Sequence, residues 1–479
     1  MWNFNKYSEA SNFNDELPQI SLPSETSNSK HLNHRTRSAT FPHRMIQFPP
    51  SSGISTHYQS RNINEGSLRR TTSDNRTKRN SKPLVEPSST SAFSKLRIRS
   101  TYAHIFSNAI SRFLLPVYIS TRIDTSDRFT VCGRVRPFSE KETLQNDLYD
   151  CVTTTDNTVT VHIGNLHLNK LEMKHMTFHL DKIFGKDASN EDVYNVVRKV
   201  IVQSLPQENI PPVDSTVFLY GKTGTGKSRT VSGITQQFAQ DVFHIIQKSR
   251  YQIRIGISAV EIVAGTKGFI VSKDNICDLF NNGSLVYFRE DANGTVHLRG
   301  AKEYLCENSA QMNTYIQKAK AIRRTQATTR NSESSRSHLI YFIFIRNAAD
   351  HFEDGQILSK ITFVDLAGNE GQQDSLFYKG GSDQIKDSTS INRSLASLQD
   401  CIRSSADGTK VIPFRGTVLT RLLKNCFFSK ESKTIFIGTI SALPMDAEQS
   451  ILTLKYVGLI KWTIQDFIIE QIDKLNAIL

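Results

Sequence analysis

Residues 218–231 read FLYGKTGTGKSRTV, a short apolar run that enters a glycine-rich turn and ends in Gly-Lys-Ser. Gly221-Lys222-Thr223-Gly224-Thr225-Gly226-Lys227-Ser228 satisfies GxxxxGK[ST]. Glycines let the backbone curl so that its N–H groups wrap phosphate oxygens. Lys227 then reaches the outer phosphates of a nucleoside triphosphate, and the Ser228 hydroxyl is offered to Mg²⁺.

Two further stretches suit the same chemistry. In ITFVDLAGNE (361–370) an aspartate closes a strand and a glycine follows three residues later. Asp365 at such a junction can hold the Mg²⁺ shell, and Gly368 can contact the terminal phosphate. In NSESSRSHLI (331–340) four serines, Arg336 and a histidine precede a strand. Hydroxyls suit a loop closing on Mg²⁺ and phosphate, and the arginine requires an anionic partner.

These loops need a frame. TVFLYG (216–221) is the strand that enters the phosphate loop; FTVCGRVRP (129–137), VTVHI (159–163), YQIRIGISAVEIV (251–263), HLIYFIFIRN (338–347), KITFVDLAG (360–368) and TIFIGTIS (434–441) supply further strands. Helical spacing is visible at 190–205, 391–405, 417–427 and 447–461. Strands and helices mixed over about 330 residues predict one large α/β domain on a central sheet.

The N-terminal hundred residues, rich in Ser, Thr, Asn, Arg and Pro, carry no such period and are expected to be disordered. Residues 1–122 hold 17 Lys+Arg against 7 Asp+Glu, which is +10 of the chain's +13. That basic segment suits an acidic partner. The six cysteines have no CxxC or CxxH spacing, which fits reduced thiols in the cytoplasm and argues against a zinc site or disulfide framework. MWNFNKYSEASNFNDELP lacks the apolar core of a signal peptide. The stretch 103–121 is interrupted by Arg112 and Pro116, so it is expected to dock or link rather than span a membrane.

YGKTGTGKS, NxxSSRSH and DLAGNE, in that order, resemble the phosphate loop and two switches of the kinesin motor domain. GRVRP (133–137), INRSL (391–395) and PFRGTVLTRLL (413–423) resemble three more motifs of the same family, so the likeness covers about 128–462. It implies an α/β P-loop NTPase motor fold: a central eight-stranded sheet, mixed and mostly parallel, with helices on both faces. The expected divisions are a disordered basic segment and linker (1–123), the motor (124–462) and a short C-terminal remnant (463–479). No heptad run follows 462, so no long coiled coil is expected there.

By resemblance the cofactors are ATP and Mg²⁺, and the partner is the microtubule. Arg134 and Pro137 are expected to flank the adenine, with Arg229 beside it. Asn331, Ser334 and Ser335 are expected to close on γ-phosphate and Mg²⁺, which Ser228, Ser335 and Asp365 would hold. Asp365 and Gly368 would sense the γ-phosphate, and Arg336 and Glu370 would form the latch between the switches. Asn392 would couple the second switch to its helix. Residues 385–435 hold nine Lys+Arg against four Asp+Glu. In kinesins this region faces tubulin, which would give Arg393, Lys410, Arg415, Arg421 and Lys424 that role, on cytoskeletal microtubules and the spindle among them.

FGKDASNEDVY (184–194), DLAGNE and LQDCIR (398–403) resemble the internal-motor kinesins, which depolymerise microtubule ends. Their depolymerising loop carries Lys-Val-Asp; His167-Leu168-Asn169 stands there, and residues 100–127 lack their charged neck density. Other departures from the family are Lys222 for Gln, Arg229 for His, Gly371 for Arg, Val418 for a basic residue, Phe427-Phe428 near a common glycine, and the added stretch 263–273. An alternative reading is therefore a microtubule scaffold that holds nucleotide with little turnover. A regulatory GTPase is disfavoured because no NKxD guanine reader follows; the nearest, NKLE at 169–172, precedes the phosphate loop.

Overall fold

The computed structural model describes residues 92–113, 127–145, 147–167, 170–263, 274–291, 296–329, 336–348, 355–369, 382–406 and 411–460. Its strands are, in chain order, β1 (Phe129–Arg136), β2 (Val152–Thr154), β3 (Thr158–His167), β4 (Lys170–His179) and β5 (Lys182–Phe184). Then come β6 (Ser215–Tyr220), β7 (Ile253–Val263), β8 (Asn275–Asp278), β9 (Ser284–Glu290), β10 (Val296–Arg299) and β11 (Tyr304–Cys306). The last three are β12 (Ser337–Asn347), β13 (Ile357–Asp365) and β14 (Lys433–Ser441).

The main sheet runs β10-β9-β8-β7-β12-β13-β6-β14-β1-β5, with β11 also on β7, which makes eleven strands rather than the expected eight. The excess comes from strands on the far side of β7, most of them only three or four residues long. The half from β13 to β5 is parallel and the half from β7 to β10 antiparallel, so the sheet is mixed. β2, β3 and β4 form a separate antiparallel sheet.

All six residues of β6 are buried, the signature of a central parallel strand covered on both faces. Phe218 and Tyr220 face one core, shared with Ile391, Leu395 and Leu454 from the helices Ser382–Ala406 and Ala447–Gly458. Val217 and Leu219 face the other, shared with Val197, Ile234 and Ile316. Those come from the helices Asn190–Ile201, Lys227–Lys248 and Ser309–Thr329. The pleat sends alternate side chains to opposite faces, which is why helices cover both.

The expected boundary at 124 requires correction. Residues Ala92–Thr101 and Ala103–Ser111 are helical and pack on β3 and the turn Pro444–Asp446. Ala103, Phe106 and Ile110 form a buried stripe at helical spacing, and Phe106 lies against Gly164. The stripe is only two turns long and sits beside the polar run SKLRIRST, so periodicity does not reveal it. The docking expectation for the stretch from 103 agrees with this packing. The stretch 417–427 breaks into two short helices, Val418–Leu422 and Lys424–Phe428. No described helix is long and apolar enough to cross a membrane.

Candidate nucleotide and switch site

β6 and β13 are parallel neighbours with Asp365 in register with Leu219. Both strands therefore deliver their motifs to the same, C-terminal edge of the sheet, where ligands of open α/β sheets bind. Beyond Tyr220 the chain turns through Gly221, at φ 153°, where a Cβ would meet the Thr439 carbonyl at 2.2 Å. Gly226 starts the helix Lys227–Lys248 at φ 98°, a left-handed conformation that glycine adopts without strain. Thr225 Oγ1 donates to the Lys222 carbonyl at 2.7 Å and lies 2.8 Å from Thr439 Oγ1, pinning the loop to β14.

Lys227 is buried, and its ammonium donates to the carbonyls of Gly221 (2.7 Å) and Lys222 (3.1 Å). The Ser228 hydroxyl donates to Asp365 Oδ2 at 2.8 Å. Asp365 is itself buried, and its Oδ1 finds no hydrogen-bond partner among the described residues. An unsatisfied buried carboxylate oxygen is costly to leave without a partner. One carboxylate and one adjacent hydroxyl match the few protein oxygens that Mg²⁺ takes beside phosphate and water, so the residues fit that ion.

Arg323, Glu261 and Ser337 escape the sequence reading yet build the wall of this site. Arg323 lies buried on the helix Ser309–Thr329, 3.3 Å from Asp365 Oδ2 and 3.4 Å from Glu261 Oε1. Its Nη2 donates to the Ser337 carbonyl at 2.9 Å. Lys320, one turn earlier, donates to Ser232 at 2.8 Å, and burial lowers its pKa, with Arg324 adding to the effect. The recoverable signal is the buried spacing Met312, Ile316, Ala319 and Arg323 in an otherwise polar run.

After Asp365 the chain is strapped down. The Ala367 N–H donates to His338 Nδ1 at 3.0 Å, and His338 Nε2 lies 2.8 Å from Ser394 Oγ on the long helix Ser382–Ala406. Because Nδ1 accepts, Nε2 carries the proton and donates to Ser394, whose own hydroxyl donates to the Ile391 carbonyl. Burial, with Arg323 and Lys227 nearby, pushes the His338 pKa down to about 3, so the imidazole is neutral. Gly368 is buried, and Asn369 donates to Tyr220 and Thr453.

Arg134 donates to Asn190 (2.7 Å) and Thr230 (2.8 Å); burial lowers its pKa, and so does the neighbouring Arg229 charge. Pro137 is exposed at the end of β1. Arg336 is half-buried at the start of β12, and Asn392 is half-buried on the long helix beside Ile391. Asn331, Ser334, Ser335, Glu370, Gly371 and Lys410 lie outside the described residues, as do Leu168-Asn169 and 264–273.

Of the other basic positions, Arg393 and Arg415 are exposed. Arg421 sits 4.1 Å over the Phe288 ring and Lys424 pairs with Glu290, so β9 lies alongside the short helices. Val418 is half-buried, Phe427 buried and Phe428 exposed against Phe414.

The Kinesin motor domain family matches residues 134–462. The chain is 32% identical over 339 residues to "Diatom spindle kinesin-1" of Cylindrotheca fusiformis, covering 70% of this chain and 51% of that one. It is 29% identical over 346 residues to "Kinesin-like protein KIN-13B" of Arabidopsis thaliana, covering 71% and 48%. It thus spans about half the length of these relatives. Among solved structures, the C-terminal motor and motor homology domain of Kar3Vik1 fused to a synthetic coiled coil aligns at TM-score 0.58 and 20% identity, covering 78% of this chain and 92% of that one. A fast kinesin aligns at 0.55 and 23%, covering 70% and 91%. At these identities the structures establish the fold.

Proposed function

The chain belongs to the kinesin motor-domain family, and from that premise we propose that it is an ATP-driven microtubule motor. It binds tubulin and couples ATP hydrolysis to movement on microtubules or to their depolymerisation. One arrangement carries this reading. Lys227, Ser228 and Asp365 meet at one sheet edge, and a hydrogen-bonded strap runs from Ala367 through His338 to the long helix bearing Arg393.

In this reading the loop Gly221–Ser228 wraps the phosphates with its N–H groups. Lys227 exchanges two backbone carbonyls for phosphate oxygens, and the rigid β14 contact keeps the loop shaped for them. Ser228, Ser335 and Asp365 would hold Mg²⁺, which would supply charge neutralisation. Arg323, 3.3 Å from Asp365 Oδ2, orients that carboxylate. Asn331, Ser334 and Ser335 close over the terminal phosphate, Gly368 meets it, and Arg336 with Glu370 orients the attacking water. Arg134, Pro137 and Arg229 line the base end. Catalysis of this kind is positioning plus charge stabilisation.

In this reading a shift of residues 366–369 toward phosphate passes to the long helix through the Ala367–His338–Ser394 hydrogen bonds. Arg393, Lys410, Arg415, Arg421 and Lys424 form the tubulin-facing set on and after that helix, with Asn392 at its root. Acidic tubulin suits them. The basic N-terminal segment takes an acidic partner, and the site of action is the cytoplasmic microtubule array, the spindle included. The likeness to a KIN-13B protein supports the internal-motor group. The loss of the Lys and Asp charges at His167 and Asn169 favours lattice binding over end depolymerisation.

The test is phosphate release by the full chain with ATP, with and without stabilised microtubules, using Lys227→Ala as control. Stimulation that the control loses supports the motor; no stimulation above basal turnover sinks it. The second reading, a nucleotide-holding scaffold, is favoured by Lys222 being tied to Asp446. It predicts retained microtubule binding with a flat ATPase.

A further inference from the structure

Lys222 is the residue at which the phosphate loop departs from its family, and its ammonium lies 3.0 Å from Asp446 Oδ1. The pair is substantially shielded, with side-chain exposures of 25% and 15%. Asp446 stands at the N-terminal end of the helix Ala447–Gly458, yet its side chain caps no backbone N–H there. Its carboxylate instead faces the phosphate loop, whose carbonyls at 221 and 222 hold Lys227.

The same short segment is also gripped by the N-terminal helix. Arg99, 2% exposed, donates to the Pro444 carbonyl at 2.8 Å and to Glu448 Oε2 at 2.8 Å. A third bond, from Nε to the Gly164 carbonyl at 3.2 Å, seats the N-terminal helix on β3. Residues 444, 446 and 448 are therefore held by two contacts: Lys222 of the phosphate loop at Asp446, and Arg99 of the N-terminal helix at Pro444 and Glu448. The turn Pro444–Asp446 leads directly into the helix, so tilting it displaces the Asp446 carboxylate from Lys222.

We infer that Lys222 is a positioning residue for nucleotide binding: its ion pair with Asp446 holds the phosphate loop in its binding shape, and Arg99 of the N-terminal helix holds Asp446 in place. The inference rests on the nucleotide reading above and adds to it a control point outside the motor motifs. Residues ahead of the first motor strand then tune nucleotide affinity without touching the nucleotide. The competing possibility is that Lys222 serves the nucleotide directly, in which case Asp446 restrains it.

The experiment is ADP binding to the full chain by calorimetry, together with the KM and kcat of ATP turnover. Lys222→Gln and Asp446→Asn each weaken ADP binding and raise KM by about three- to tenfold, and the double variant is no worse than either single one. For Asp446→Asn, which lies outside the phosphate loop, kcat changes by less than about twofold, since the pair shapes binding rather than the transition state. Lys222→Arg retains wild-type affinity, and the swap Lys222→Asp with Asp446→Lys recovers part of it. Arg99→Gln weakens ADP binding in the wild-type chain but not in a Lys222→Gln background. Unchanged or tighter ADP binding in Asp446→Asn overturns the inference while leaving the nucleotide reading intact. A wild-type chain that binds no ADP overturns both.

Discussion

The Ser228 hydroxyl donates to Asp365 Oδ2 at 2.8 Å across 137 residues of sequence. That bond joins the end of one parallel strand to the first helical turn after its neighbour. It leaves Asp365 Oδ1 buried with no partner among the described residues. In the proposed nucleotide-bound state, Ser228 and Asp365 would be the residues that hold Mg²⁺.

Asp365→Asn keeps the shape and removes the charge. ATP turnover falls by at least about 100-fold, since a preorganised charge at the developing transition state is lost. Ser228→Ala falls in the same direction but by less. Phosphate release against Mg²⁺ concentration checks this: both variants require more Mg²⁺, and a variant with the wild-type Mg²⁺ dependence contradicts the assignment.

Arg323 balances two buried carboxylates, Glu261 and Asp365. Arg323→Met leaves both uncompensated and destabilises the fold by about 3–5 kcal/mol. Arg323→Lys recovers part of this, because a point charge cannot reproduce a planar fork. Urea unfolding measures the difference, and a Met variant as stable as wild type would refute the triad's role.

Much of this site was legible from sequence because phosphate chemistry uses backbone. Gly221, Gly226 and Lys227 are dictated by a turn that only certain residues can make, so their spacing is diagnostic. Asp365 followed from its place at a strand end. Arg323 and Glu261 were not legible: a buried charge on a helix looks like a solvated one until its partners, 42 residues and more away, are brought beside it. The docked N-terminal helices were missed for a related reason. Their stripe of Ala103, Phe106 and Ile110 is meaningful only once Gly164 offers a surface without a side chain. The strands near β7 were likewise illegible, being short and paired by tertiary context rather than pattern.

His338 supplies a pH dependence whose sign follows from its pKa. Its folded value is about 3, against an ordinary value of 6.5. Between these the unfolded chain binds a proton that the folded chain excludes, so stability is full above pH 6.5 and declines as pH falls toward 3. This one imidazole costs about 2 kcal/mol at pH 5 relative to neutral pH. Urea unfolding at pH 7.5 and pH 5 registers the loss, and His338→Asn shows a smaller one. An equal pH response in the variant would remove His338 as its source.

Phe106 is 1% exposed, its ring filling the space a Gly164 side chain would need. Phe106→Ala removes about 3–5 kcal/mol of packing. Phe106 shares a buried cluster with Phe218 and Tyr220 of β6, and the expected loss is local, an undocking of residues 92–111. Hydrogen exchange of that segment rises while β6 and β14 stay protected. Loss of protection in β14 as well would mean that the N-terminal helices belong to the global fold.

The basic face offers two kinds of cation, and they differ in what they are free to do. Arg421 lies over Phe288 and Lys424 pairs with Glu290, so part of their interaction is spent within the molecule. Arg393 and Arg415 are exposed, although Arg415 also lies 5.0 Å over the Phe414 ring. Replacing Arg393 and Arg415 together by Ala therefore weakens microtubule co-sedimentation by about three- to tenfold at low salt, and the deficit shrinks as salt screens the attraction. Lys424→Ala combines a lost charge with a disturbed Phe414–Phe428 contact, so its binding deficit comes with a lower melting temperature. Co-sedimentation across a salt series separates the two. If the double variant binds as wild type at every salt concentration, tubulin meets another face.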